Sequence, residues 1–244
     1  MIDLHCHLCF GVDDGPQTER EAVDLAAALV DAGVTQVACT SHVRADKDWF
    51  NTAPKQEANQ SALRAALDRA QIPLTITTGA EHYLDDTLFA QPLDGYVVPY
   101  GASRWLLLEL PYSGPPMDLM GQLYRLRKAG YRLLLAHLER FPYVADDDAL
   151  IQRILDAGHL IQVNLGSLAG AYTRAHKKAA RRLVEGGWAS VAASDCHEVG
   201  DVKRFLLKGR KALEKLVGQE GAQRLMVENP RAILDDHPPE RIWP

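Results

Sequence analysis

The chain has 244 residues, 47% hydrophobic and 24% charged, with a formal net charge of −5 at pH 7. That composition suits one large globular domain. The acidic balance, with no basic patches laced with aromatics, excludes nucleic acid as an expected partner; anionic substrates stay open, because bound cations reverse a local field.

In chain order, strands are predicted at Ile2–Leu8, Val34–Ser41, Leu74–Ala80, Trp105–Leu110, Arg132–Ala136, Leu160–Leu165 and Ser190–Ser194. Helical periods lie between them. Thr18-Glu19-Arg20-Glu21 is a capping box, followed by Val23, Ala26, Ala27 and Val30 as the expected buried face and Gly33 as the stop. Leu63, Ala66, Leu67 and Ala70 form a second face; Leu150, Ile151, Ile154 and Leu155 form a third, ended by Gly158. Strands alternating with helices, several of them continuously apolar, predict an α/β fold of parallel βαβ units closed into a TIM-like barrel of about seven strands. Residues 1–234 are expected to form one domain and residues 235–244 a loosely held tail. The opening Met1-Ile2-Asp3-Leu4-His5 has no basic or long apolar leader, and no run reaches the roughly 18 apolar residues of a membrane span, so a cytoplasmic protein without membrane insertion is expected. Cys6, Cys9, Cys39 and Cys196 show no disulfide framework and read as reduced thiols.

Polar residues gather at the C-terminal ends of these strands. The first carries His5 and His7, with Asp13-Asp14-Gly15 in the loop beyond. The next four end in His42, Glu81, Glu109 and His137, and the seventh in Asp195 and His197. Histidines at i and i+2 on a strand share a side, and the C-terminal ends of parallel barrel strands converge on one mouth. Nine imidazoles and carboxylates there exceed the three or four ligands of one catalytic zinc, so two or three divalent metals are expected, with zinc, manganese and iron all suited to such donors. Without metal, several buried charged groups would lack partners, at a cost of several kcal/mol each. The other histidines are assigned elsewhere: His82 points away from Glu81, His159 lies at the wrong barrel end, His176 sits on a solvated basic helix face and His237 lies in the tail. Cys6 and Cys196 alternate with candidate ligands and are expected to pack. No Cys-x5-Arg exists, which excludes a cysteine phosphatase, and no lysine on a strand supports a carboxylated-lysine amidohydrolase.

These motifs resemble the PHP (polymerase and histidinol phosphatase) superfamily, and within it the bacterial protein-tyrosine phosphatases of capsule and exopolysaccharide synthesis. The resemblance spans roughly residues 1–234. It rests on Met-Ile-Asp-Leu-His-Cys-His, Asp13-Asp14-Gly15, Thr40-Ser41-His42, Gly79-Ala80-Glu81, Ala136-His137-Leu138-Glu139-Arg140, Gly166-Ser167-Leu168-Ala169-Gly170, Ala193-Ser194-Asp195-Cys196-His197 and Asn229-Pro230-Arg231. It implies a distorted seven-stranded barrel (the PHP fold). His5, His7, Glu81 and Asp195 would surround one metal, Glu81 would bridge to a second with Glu109 and His137, and Asp14, His42 and His197 would hold a third. It also implies phosphotyrosine hydrolysis by a metal-activated hydroxide without a phosphoenzyme, with Arg140, His42 and Asp14 as catalytic residues and the tail of a bacterial tyrosine kinase as substrate. Members often carry a second arginine soon after the final Asp-x-His; here Lys203 and Arg204 stand nearby at a different spacing, and Arg44 is a further candidate. Rival expectations are a phosphatase for histidinol phosphate, a nucleotide or a sugar phosphate, an exonuclease-like module, and a non-catalytic scaffold for a kinase.

Overall fold

All seven predicted strands are present, slightly trimmed at their ends, in a computed structural model that describes residues 1–90 and 92–239. They are β1 (Ile2–Cys6), β2 (Gln36–Cys39), β5 (Thr75–Thr78), β7 (Trp105–Glu109), β8 (Arg132–Leu135), β9 (Leu160–Asn164) and β10 (Val191–Ala193). Three short strands add to them: β3 (His42–Arg44), β4 (Trp49–Phe50) and β6 (Glu81–Tyr83).

Parallel pairing runs β1-β2-β5 in one sheet and β10-β9-β8-β7-β6-β3 in the other. The two sheets form one barrel, because the second and third staves change partner half-way up. After Thr40-Ser41 the chain continues from β2 into β3, and after Gly79-Ala80 from β5 into β6, where His42 stands opposite Glu81. Thr40 fixes the first break: its hydroxyl oxygen accepts from the Cys6 amide at 3.0 Å. Gly79 fits the second, since a Cβ there would lie 3.1 Å from the Tyr100 ring. The barrel closes where β1 meets the end of β10, with His7 N donating to Cys196 O at 3.0 Å and Asp195 N to His5 O at 2.8 Å.

The interior is graded from apolar floor to polar mouth. On β7, Trp105 and Leu107 join a floor with Leu4, Ala38, Leu134 and Val191, and Glu109, two residues on, reaches the mouth. On β1 a register irregularity between Asp3 and Cys6 switches the alternation, so that Leu4 faces the floor while His5 and His7 face the mouth and Cys6 packs outward. Cys196 packs in that outer core as well.

Outer helices complete the units: α1 (Glu19–Asp31), α2 (Ala53–Arg69), α3 (Asp86–Ala90), α4 (Leu119–Lys128), α5 (Pro142–Ala145), α6 (Asp148–Asp156), α7 (Leu165–Ala169) and α8 (Arg174–Glu185). After β10 come α9 (Val199–Asp201), a π-helical turn Val202–Leu207, α10 (Lys208–Gln223) and, past a second π turn, α11 (Asn229–Leu234).

Several expectations are corrected. The Thr18 capping box is formed, but the buried face of α1 is Ala22, Leu25, Ala26 and Leu29, rotated from the predicted one because Leu25 and Leu29 are its largest apolar groups. The sheet is not wholly parallel: β4 folds back antiparallel on β3, pairing Trp49 with Arg44. His176 is half-buried against the Tyr172 ring rather than fully solvated. The start of the tail is tied down, since Arg104 and Arg132 both bind Asp236; residues 240–244 lie outside the described residues.

Candidate metal centre

The nine predicted site residues meet at the barrel mouth. His5 and His7 present their Nε2 atoms 3.2 Å apart. The opposite nitrogens are committed: His5 Nδ1 lies 3.0 Å from Gln162 Oε1, and His7 Nδ1 lies 2.9 Å from Asp13 Oδ2. The Gln162 amide is oriented by its neighbours, accepting from His137 N at 3.0 Å and donating to Asn164 Oδ1 at 2.6 Å. Both Nδ1 atoms therefore face acceptors and carry a proton, which directs the two Nε2 atoms at one spot and makes them the nitrogens available to a metal.

Carboxylates converge on the same spot. Glu81 Oε2 is 3.2 Å from His5 Nε2, 3.4 Å from His7 Nε2 and 3.1 Å from His42 Nδ1, while its Oε1 is 2.9 Å from His137 Nε2. Asp195 Oδ1 is 3.2 Å from His5 Nε2 and 3.5 Å from His7 Nε2. Glu109 Oε1 stands 3.7 Å from His137 Nε2. Nearer solvent, Asp14 Oδ1 is 3.3 Å from His197 Nε2 and 3.5 Å from His42 Nε2. The ligand atoms cluster as His5, His7 and Glu81; as His5, His137 and Asp195; as His42, Glu81 and Glu109; and as His7, Asp14, His42 and His197.

Without a cation this cluster balances its charge with protons. Burial opposes charging of His5, but Glu81 and Asp195 outweigh it and lift its pKa to about 9. Burial, then the Glu81 charge, pushes the Glu109 carboxyl up to about 8. Burial holds His42 down at about 4; its Nδ1, although close to Glu81, is not aligned for a hydrogen bond and has no partner. The facing Nε2 atoms, the orphaned nitrogen and the mixed imidazole–carboxylate donors all fit divalent cations, which take the place of such protons.

Local folding holds this arrangement in place. Asp13 is the hub of the first loop, accepting from His42 N at 2.9 Å and Gly15 N at 3.1 Å as well as binding His7. Residue 15 must be glycine, since a Cβ would collide with the His7 carbonyl oxygen. His137 and Asp195 have left-handed backbones (φ 30° and 55°), a conformation rare for such residues and held here by the barrel. Asn164 passes the orientation of Gln162 on to Asp195 through a 2.6 Å hydrogen bond. The sequence reading missed Gln162 and Asn164; polar residues at i and i+2 inside an apolar strand were the available signal. It also missed Trp49, whose ring stacks on His42 at 5.2 Å.

The cluster opens into a cleft of about 930 Å³. Arg140 lies in its wall, with Nη1 3.6 Å from Asp195 Oδ2 and its guanidinium 5.3 Å from the Tyr112 ring and 5.4 Å from that of Tyr172. Its Nε is buried without a partner. Arg204 also lines the cleft, where Asp201 pairs with it, whereas Lys203 is exposed and is not among the lining residues. Arg44 is engaged by Asp46 at 2.7 Å and lies 3.4 Å from Glu109. His82 turns away, bonded to Leu107 O and Val98 N, and His159 is buried below β9.

Residues 1–235 match the family described as capsular polysaccharide synthesis, CpsB/CapC. The chain belongs to the CpsB/CapC family. The tyrosine-protein phosphatase CpsB of Streptococcus pneumoniae is 29% identical to it, over 97% of this chain and 99% of its own. The tyrosine-protein phosphatase YwqE of Bacillus subtilis is 27% identical, over 96% and 91%. A solved structure from work on YwqE and CpsB, described as unique metal-dependent tyrosine phosphatases, superposes with a TM-score of 0.90 at 26% identity, over 99% of this CpsB/CapC chain and 97% of the other. A Mycobacterium tuberculosis phosphotriesterase shares the fold alone, with a TM-score of 0.59 at 13% identity over 98% and 95%.

Proposed function

We propose that this chain is a metal-dependent protein-tyrosine phosphatase that hydrolyses phosphotyrosine without a phosphoenzyme. The observation that carries the reading is the pair of facing histidine Nε2 atoms, 3.2 Å apart, set among four carboxylates in a family whose named relatives are tyrosine phosphatases. His5, His7, Glu81, Asp195, Glu109, His137, Asp14, His42 and His197 would hold two or three divalent ions, manganese first, with iron or zinc as substitutes. Ions so held supply Lewis acidity and lower the pKa of water enough for it to attack phosphorus near neutral pH.

The chain's own residues do the rest. Asp13 and Gln162 keep the His5 and His7 rings in the tautomer that leaves Nε2 free. Arg140 offers the planar guanidinium it presents in the cleft wall to the phosphoryl oxygens, and the Tyr112 and Tyr172 rings flanking it hold the fork in place. No thiol takes part, because all four cysteines are buried; burial raises the pKa of Cys6 and of Cys196, and Cys9 with burial raises that of Cys39. Residues 1–234 act as one catalytic unit. Among the described residues no helix is long and apolar enough to cross a membrane. The substrate in this reading is the phosphorylated tail of a bacterial tyrosine kinase, met in the cytoplasm.

The test is hydrolysis of a phosphotyrosine peptide beside histidinol phosphate, with manganese and with chelator. Release from the peptide that needs metal, resists thiol alkylation and disappears in His42→Ala is expected. Turnover of the small phosphate alone would refute the tyrosine-phosphatase reading.

A further inference from the structure

Helix α8 carries Arg174, Lys177, Lys178, Arg181 and Arg182 in twelve residues, on a chain whose net charge is −5. Its buried side is Ala179, Ala180, Leu183 and Val184, which turns the cations outward. These cations differ along the helix. At the far end, Arg182 pairs with Asp148 and Arg181 with Glu185. In the first turns, Arg174, Lys177 and Lys178 are exposed, and no carboxylate pairs with them among the described residues.

That end is also the wrong one for cations. The first turn of α8 contains no acidic residue, so Arg174 adds positive charge to the positive end of the helix dipole. Left alone, the arrangement costs stability; an anion laid over it offsets both charges. Its position relates it to the cleft. Tyr172, just before the Thr173 cap, lines the cleft and flanks Arg140. The three free cations therefore begin at the rim and run down over about 6 Å of helix. An extended peptide leaving the cleft, at about 3.3 Å per residue, covers that stretch with about two residues flanking the one in the site.

We infer that the exposed basic face at the start of α8 is a docking surface for an acidic stretch flanking the phosphotyrosine of the protein substrate. The inference rests on the tyrosine-phosphatase reading and adds which sequences the site selects. Charges at a solvent-facing rim act on encounter and binding, so the effect falls on KM and fades with salt.

The test compares two phosphotyrosine peptides, one with glutamates on both sides and one with glutamines, and p-nitrophenyl phosphate, using metal-loaded enzyme. The variant is Arg174→Glu/Lys177→Glu/Lys178→Glu, which folds at least as well because its glutamates suit the helix start. Wild type is expected to prefer the acidic peptide by about tenfold in kcat/KM at low salt and far less at about 0.5 M salt. The variant loses that preference through KM and turns over p-nitrophenyl phosphate as wild type does. A preference that survives in the variant, or wild-type indifference between the peptides, overturns the inference. So does sedimentation of wild type, but not the variant, with anionic vesicles when the peptides are treated alike, for then the face meets a membrane. Wild type inactive on all three substrates strikes the phosphatase reading itself, and the inference falls with it.

Discussion

Replacing Asp13 with asparagine tests the site without touching a proposed ligand. Three donors converge on this carboxylate: His7 Nδ1 at 2.9 Å, His42 N at 2.9 Å and Gly15 N at 3.1 Å. An asparagine fills the same volume but accepts through one oxygen only, so its NH2 must face at least one of those donors. Turned toward His7, it forces the ring to give up the Nδ1 proton and carry it on Nε2, the atom needed for metal. Turned toward Gly15, it breaks the loop that carries Asp14. Burial works against the Asp13 charge, but His7 more than offsets this and holds its pKa far below the usual carboxylate value, so the anion is present at any working pH. Loss of such a partner weakens metal binding by about 10- to 100-fold, or about 1.4 to 2.8 kcal/mol. Competition against a fluorescent chelator measures this, alongside far-UV circular dichroism of the metal-free proteins. Affinity within about threefold of wild type, with the fold intact, would refute Asp13 as the hub that orders His7.

Arg140→Lys keeps the charge and removes the planar fork; kcat/KM on phosphotyrosine peptide should fall about 100-fold with metal content unchanged. A smaller fall than threefold or so, or metal lost in parallel, would sink the phosphoryl contact. His159, held neutral by burial with Arg127 nearby, has its pKa lowered from 6.5 to about 4. Its stability contribution is complete above 6.5 and declines as pH falls toward 4, by about 2 kcal/mol at about pH 5. The gap in urea-unfolding free energy between wild type and His159→Asn should narrow by about that much between about pH 7.5 and pH 5, and a gap that ignores pH would refute it.

The seven staves and the nine residues at their ends were legible because both follow from local pattern: apolar runs bounded by turns, and polar residues at the end that a parallel barrel turns to its mouth. The partner exchange at Thr40-Ser41 and Gly79-Ala80 was not, since a strand's choice of neighbour is set by the whole barrel. The same holds for the switch of side between Leu4 and His5, which strict alternation forbids and the irregular β1 register permits. Gln162 and Asn164 were readable as polar intruders in an apolar strand, but their task appears only when His5, His137 and Asp195 are seen around them. His176 was misplaced because a basic run gives no sign that Tyr172 folds back on it.

The closure between β1 and the end of β10 bears on how the protein is made. His5 and His7 leave the ribosome nearly two hundred residues before Asp195 and His197, yet one pair of backbone hydrogen bonds sets them side by side. A nascent or clipped chain lacking its last stave keeps seven of the nine site residues but lacks Asp195, His197 and the hydrogen bonds that close the barrel beside His5 and His7. The complete pocket, with every stave contributing to it, therefore waits until synthesis has passed the seventh stave.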